Sequence, residues 1–125
     1  MKRILILEDE ENLRALYQQI LVDEGYEVVL ATDGESALSI LKQKPCDLAI
    51  VDIKLGNANG LDYMGEMLNM QRNMKIVVNS AYSVYKQDLR VWSADAYLLK
   101  SSNYEELVAT VNSLLQTGKK PEKDS

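Results

Sequence analysis

Histidine is absent from this 125-residue chain. An imidazole base, a phosphohistidine and a histidine metal ligand are therefore all excluded within it. Cysteine occurs once, as Cys46. That rules out an intramolecular disulfide and a thiolate zinc cluster, and it fits a reducing compartment. Long hydrophobic runs are also missing. After Met1-Lys2-Arg3, only Ile4 to Leu7 are apolar before Glu8-Asp9-Glu10-Glu11, too short a run for a signal-peptide core. No run approaches the length of a membrane span, so no membrane partner is expected and the expected location is cytoplasmic. Basic charge is in deficit: 14 Lys and Arg face 19 Asp and Glu, a net charge of −5. Such a domain has the wrong field for nucleic acid or an anionic membrane surface.

What is present is a regular alternation of two patterns. Ile4-Leu5-Ile6-Leu7, Val28-Val29-Leu30, Leu48-Ala49-Ile50-Val51, Ile76-Val77-Val78 and Ala96-Tyr97-Leu98-Leu99 are short continuous apolar runs, as expected of strands buried on both faces. Between them lie stripes of helical spacing. Leu13, Leu16, Tyr17, Ile20 and Leu21 make the first, closed by Gly25. Ala37, Leu38 and Leu41 make the second, after a cap at Thr32 or Asp33. Leu61, Met64 and Leu68 follow the turn-forming Asn59-Gly60, in a segment from Gly56 to Gly60 that reads as loop. Tyr82 to Trp92 is weakly helical without a clean stripe. Ser102 and Glu105 suggest a capping box for a last helix carrying Leu107, Val108, Val111, Leu114 and Leu115. Strand-helix alternation of this kind implies an α/β fold, a parallel sheet covered on both faces. Residues 1–117 read as one domain, and 118–125 as a polar tail expected to be disordered.

In a doubly wound sheet, ligands sit beyond the carboxyl ends of the strands. The residues at those ends are Glu8-Asp9, Asp52, Asn79-Ser80 and Lys100. Two like charges about 4 Å apart repel by about 4 kcal/mol at an effective dielectric near 20. Converging carboxylates therefore call for a proton or a cation, and an oxygen-ligated Mg²⁺ that keeps an exchangeable water suits them. Lys100 can balance a carboxylate at rest and hold a phosphoryl oxygen in a product. Ser80 can donate a hydrogen bond to the same oxygen. The remaining carboxylate is then free to act as a nucleophile.

Ile6-Leu7-Glu8-Asp9-Glu10, Val51-Asp52-Ile53-Lys54-Leu55 with Gly60 eight residues after Asp52, Asn79-Ser80-Ala81, and Tyr97-Leu98-Leu99-Lys100 together resemble the receiver domain of bacterial two-component response regulators. The resemblance covers about residues 1–117. It implies a flavodoxin-like, doubly wound five-stranded parallel sheet of order 2-1-3-4-5. It implies that Asp52 is the phosphoacceptor. Glu8 and Asp9 would be the acidic pair, with Asp9 the more direct ligand of Mg²⁺, or of Mn²⁺ in its place. The Lys54 carbonyl would complete the metal ligands. Lys100 and Ser80 would contact the phosphoryl group, Tyr97 would be the switch aromatic coupled to Ser80, and Ala81 would leave the pocket open. Lys54 and Tyr82 would tune the phosphoryl lifetime. The implied donor is a histidine kinase or a histidine phosphotransfer protein, and the implied output is a protein target, without nucleic-acid binding by this chain.

The sequence departs from the family at three places. Gly56 stands where proline is usual. Ser101 follows Lys100 where proline is usual, and a cis peptide there would cost about 2.5–4 kcal/mol without proline. The stretch from Ser80 to Lys100 is short, which predicts a shortened or irregular fourth helix.

Each residue also has a plainer reading. Asp52 alone suits a helix cap or a loop, Glu8 and Asp9 favour the first helix through its dipole, and Lys100 suits a surface strand end. Ser80 suits a loop amide, and Tyr97 simple packing. Glu10 and Glu11 read as solvated charges, Met64 as packing under the third helix, and Cys46 as a small buried hydrophobe. Trp92 reads equally as a partner contact or as cover for the sheet edge. Three other functions compete. An aspartate-nucleophile phosphatase would carry a second Asp two residues after the nucleophile, where Lys54 stands. A flavin binder would need amide donors where Glu8 to Glu11 would repel phosphate. A degenerate receiver acting only as an interaction module would not need the intact acidic, Ser and Lys set.

Overall fold

The computed structural model describes residues 1–55, 58–81, 87–100 and 104–116. The expectations at Gly56, Tyr82, Ser102 and the Lys100–Ser101 peptide, and those for the tail from 118, lie outside these residues. In chain order the elements are β1 (Arg3–Leu7), α1 (Glu11–Asp23), β2 (Glu27–Ala31), α2 (Gly34–Gln43), β3 (Leu48–Val51), β4 (Lys54–Leu55), β5 (Ala58–Asn59), α3 (Leu61–Met70), β6 (Lys75–Ser80), a 3-10 helix (Leu89–Ser93), β7 (Ala96–Leu99) and α4 (Glu105–Leu115). Five strands form one parallel sheet in the order β2-β1-β3-β6-β7. Counted along that sheet, this is the expected 2-1-3-4-5 order.

The continuous apolar runs are explained by the pleat. Successive side chains point to opposite faces, and both faces are covered. Ile4, Ile6, Leu48, Ile50 and Val77 pack with Tyr17 and Leu21 of α1 and with Leu107, Val111 and Leu115 of α4. Leu5, Leu7, Ala49, Val51, Ile76 and Val78 pack with Ala37 and Leu41 of α2, Met64 and Met67 of α3, and Val91 of the 3-10 helix. Each fully buried aliphatic side chain contributes about 1.5–3 kcal/mol of hydrophobic stabilisation. Met64 is thus core, as expected, and buried Cys46 behaves as a small hydrophobe whose thiol burial pushes up to about 11.

Local signals set the helix ends. Gly25, at φ +97, ends α1 with Gly25 N–H donating to Val22 O at 3.0 Å and Tyr26 N–H to Leu21 O at 3.1 Å, a paired C-terminal arrangement that glycine permits. Asp33, not Thr32, caps α2: its carboxylate accepts from Ser36 N–H at 2.8 Å and forms a capping box. Gly34 lets α2 approach α3, because a Cβ there would lie 2.3 Å from the Tyr63 ring.

The structure corrects the sequence reading in three places. The segment read as loop includes β5, whose Asn59 and Ala58 pair antiparallel with Lys54 and Leu55; two-residue strands carry no periodicity to detect. β6 runs two residues past its apolar run, because Asn79 and Ser80 continue the backbone ladder opposite Leu98 and Leu99. Leu16 lies at the edge of the α1 stripe and is 36% exposed. Between Ser80 and β7, the helix among the described residues is the 3-10 helix Leu89–Ser93, in keeping with the short, irregular fourth helix expected there. Trp92 on it is 78% exposed, which favours an exposed side chain over cover for the sheet edge.

Candidate functional site

The sheet order reverses between β1 and β3, so the crevice opens beyond Leu7 and Val51, which are register partners. Glu8 and Asp9 leave β1, and Asp52 leaves β3 with its N–H bonded to Leu7 O at 3.0 Å. Ser80 ends β6 and Lys100 follows β7, tied by Lys100 N–H donating to Ser80 O at 2.7 Å. Glu8, Asp9, Asp52, Lys54, Ser80, Ala81 and Lys100 line one crevice of about 230 Å³. The topology thus brings six of the eight expected site residues together. Tyr97 is half-buried on β7 and packs with the α2–α3 side of the core, and Tyr82 lies outside the described residues.

The chemistry of the crevice is that of crowded carboxylates around the Lys100 ammonium. Lys100 Nζ lies 2.9 Å from Glu8 Oε1 and 3.2 Å from Asp52 Oδ2. Glu8 and Asp52 are buried, at 2% and 5% exposure. Burial, and then the charge of Glu8, push the Asp52 carboxyl up to about 7 against the pull of Lys100. Burial works against the Lys100 ammonium, but its hydrogen bond to Glu8 and the charge of Asp52 outweigh this and raise its pKa. Glu8, Asp9 and Asp52 each present a carboxylate oxygen within 4.8 Å of the others. An all-oxygen set of this kind fits a hard divalent cation, and Asp9 is the exposed member of the set.

Local structure holds these groups in place. Glu8 Oε2 accepts from Glu10 N–H at 3.2 Å, so Glu8 serves the entry to α1 as well as Lys100. The Arg14 guanidinium donates to the carbonyls of Glu8 at 3.1 Å and Asp9 at 3.4 Å, fixing the acidic turn. Gly60 packs beneath Asp52: its N–H donates to Ile53 O at 2.6 Å, and a Cβ would lie 2.0 Å from Asp52 O. No Cβ fits there, which is the physical reason for the glycine eight residues after Asp52. Two features were missed in the sequence. Arg14 carries no local pattern that announces a carbonyl clamp. Asn79, read only as a strand-end residue, is buried and donates its amide to the Tyr17 hydroxyl at 3.0 Å, a pairing across 62 residues that no local signal reports.

A doubly wound parallel sheet with an acidic cluster and a lysine at its switch point defines a class of small α/β signalling domains. Comparison with known proteins makes it specific. The chain matches the model of the response regulator receiver domain over residues 4–112, and it belongs to that family. It is 33% identical over 125 residues to the response regulator ArlR of Staphylococcus epidermidis, covering 99% of this chain and 56% of the relative. The chain therefore spans about half the length of the curated relatives it matches. Among solved structures it resembles the response regulator TrrA of Thermotoga maritima in complex with Mg²⁺-BeF, at 43% identity and TM-score 0.87, covering 92% of this chain and 100% of that one. It likewise resembles TrrA in complex with the histidine kinase ThkA, at 42% identity and TM-score 0.84, covering 92% and 99% of the two chains. No helix among the described residues is long and apolar enough to cross a membrane.

Proposed function

We propose that this receiver domain accepts a phosphoryl group on Asp52 in a Mg²⁺-dependent reaction and signals the change to a protein partner. The observation that carries the reading is the half-buried Lys100 ammonium between the buried Glu8 and Asp52 carboxylates, in one crevice with Asp9 and Ser80. Since these 125 residues hold no histidine, the phosphoryl donor lies outside them: a histidine kinase or a histidine phosphotransfer protein in the cytoplasm, as the TrrA–ThkA complex suggests.

The Asp52 carboxylate oxygen attacks phosphorus and forms a P–O bond. The P–N bond to the donor imidazole breaks, and its electron pair leaves on the ring nitrogen. Lys100 moves from balancing two carboxylates to holding a phosphoryl oxygen, and the Ser80 hydroxyl donates to another. A Mg²⁺ ion held by Glu8, Asp9, Asp52 and the Lys54 carbonyl would keep Asp52 ionised and neutralise charge on the transferred group. Phosphorylation then adds charge in the crevice and biases an existing conformational equilibrium, with Ser80 and Tyr97 as the coupled switch and Lys54 and Tyr82 setting the lifetime. Mn²⁺ is an acceptable substitute for Mg²⁺.

The test is incubation with a small acyl phosphate and Mg²⁺, followed by intact mass. Wild type gains one phosphoryl group, and Asp52→Asn gains none. Lys100→Ala slows uptake by roughly 100-fold, the scale of losing one preorganised charge contact. Equal uptake by Asp52→Asn, or none by wild type, overturns the assignment.

A further inference from the structure

Asn79 stands out on β6 as an amide in an apolar layer. Side chains alternate along the strand, so Asn79 faces the same way as Val77, which packs among α1 and α4 residues. It is 4% exposed, and the Tyr17 hydroxyl that accepts its amide belongs to a side chain 2% exposed. An apolar pair of the same shape would fill this place without any polar group to desolvate. The polar pair is thus not required by packing.

Its surroundings connect it to the phosphoryl crevice. Asn79 precedes Ser80, whose carbonyl accepts from Lys100 N–H at 2.7 Å. Lys100 in turn reaches Glu8 and Asp52. A cavity of about 10 Å³ is lined by Tyr17, Asn79, Lys100 and Tyr104 together, so the pair and Lys100 face one small space. Tyr17 lies on α1, the helix that follows Glu8 and Asp9, and Tyr104 meets its ring edge-on at 6.0 Å and 72°. Helix α1 is therefore joined to the end of β6 by one buried hydrogen bond, and to the residue preceding α4 by one ring contact.

We propose that Tyr17 and Asn79 are a positioning pair for phosphoryl transfer: the buried hydrogen bond between them fixes the end of β6 and the Lys100 stem, so that Ser80 and Lys100 meet the phosphoryl oxygens in register. This rests on Asp52 being the phosphoacceptor. A misplacement of ~1 Å at such contacts costs about 100-fold in rate, and a buried directional bond restricts the strand end more than an apolar contact does.

The experiment compares phosphorylation of wild type, Tyr17→Phe, Asn79→Leu and the double variant by a small acyl phosphate, with thermal melting of each. The expected result is a rate constant at saturating donor and Mg²⁺ reduced at least fivefold in each single variant, with the half-saturating Mg²⁺ concentration unchanged. The double variant should be no slower than the slower single one, because the pair acts as a unit, while its melting temperature returns toward wild type. Rate constants within twofold of wild type, or rates that recover together with the melting temperature, overturn the proposal. If a single variant fails to fold, the double variant, which leaves no buried polar group unpaired, is read against wild type by the same fivefold and twofold limits. Failure of wild type itself to take up phosphoryl would overturn the Asp52 assignment instead, so the two outcomes are distinct.

Discussion

A methyl group on Gly60 would lie 2.0 Å from the Asp52 carbonyl oxygen and 3.0 Å from a Val51 methyl. One neighbour is Asp52 itself and the other is the last residue of β3, so neither can give way without moving Asp52. Gly60→Ala should therefore destabilise the protein by about 1–3 kcal/mol, the usual cost of overpacking. It should also slow phosphorylation in the fraction that folds. Urea unfolding and acyl phosphate uptake check the two effects, and a variant as stable and as fast as wild type would show that the backbone can relax there. At this scale the sequence was a good guide to which residues matter and a poor guide to what they touch. Glu8, Asp52, Ser80 and Lys100 were visible as polar interruptions at the ends of apolar runs. The partnership of Tyr17 and Asn79 was not, because Tyr17 reads as an ordinary member of a helical stripe and its polar tip has no periodic signature.

Elements were legible where burial imposes a pattern. β3 and β7 coincide with their apolar runs because both faces of the sheet are covered. The β4–β5 ribbon and the 3-10 helix were obscure because neither presents a repeated apolar face. Helix α2 shows the opposite case, a local signal that the structure realises: Asp33 accepts from Ser36 N–H at 2.8 Å, and the Ser36 hydroxyl lies 3.4 Å from Asp33 N. Asp33→Ala should lower stability by about 1 kcal/mol, as loss of a cap generally does. Because Asp33 lies outside the crevice, the rate of phosphorylation should stay within twofold of wild type. Parallel unfolding and uptake measurements separate the two, and a slowed reaction at unchanged stability would mean that α2 reaches the site in a way its contacts do not reveal. The irregular segment before β7 is held differently, by Arg90, which pairs with Asp88 at 2.7 Å and with Asp62 at the start of α3. Exposed pairs of this kind contribute little to stability, and within the 3-10 helix Val91 is the buried residue.

For the molecule as a whole, the acidic cluster is a cost to folding that a bound cation would relieve. Asp52 has a carboxyl raised from 3.8 to about 7 by burial and by Glu8. The folded chain thus holds a proton that the unfolded chain gives up from about pH 4 upward. Stability from this group is fully present below the unfolded value, declines as pH rises from about 4, and is lost above 7. The shift corresponds to about 4 kcal/mol at most. Metal-free wild type should therefore lose stability relative to Asp52→Asn between pH 5 and pH 8. Mg²⁺ should stabilise wild type strongly at pH 8, where the carboxylate is already ionised, and weakly at pH 5, where binding must first displace a proton. Asp52→Asn should respond less to Mg²⁺ at either pH. Urea unfolding at both pH values, with Mg²⁺ and with a chelator, measures all of these differences. A gap between wild type and variant that does not change with pH would mean that Asp52 is ionised throughout, with Lys100 alone sufficient to hold its charge.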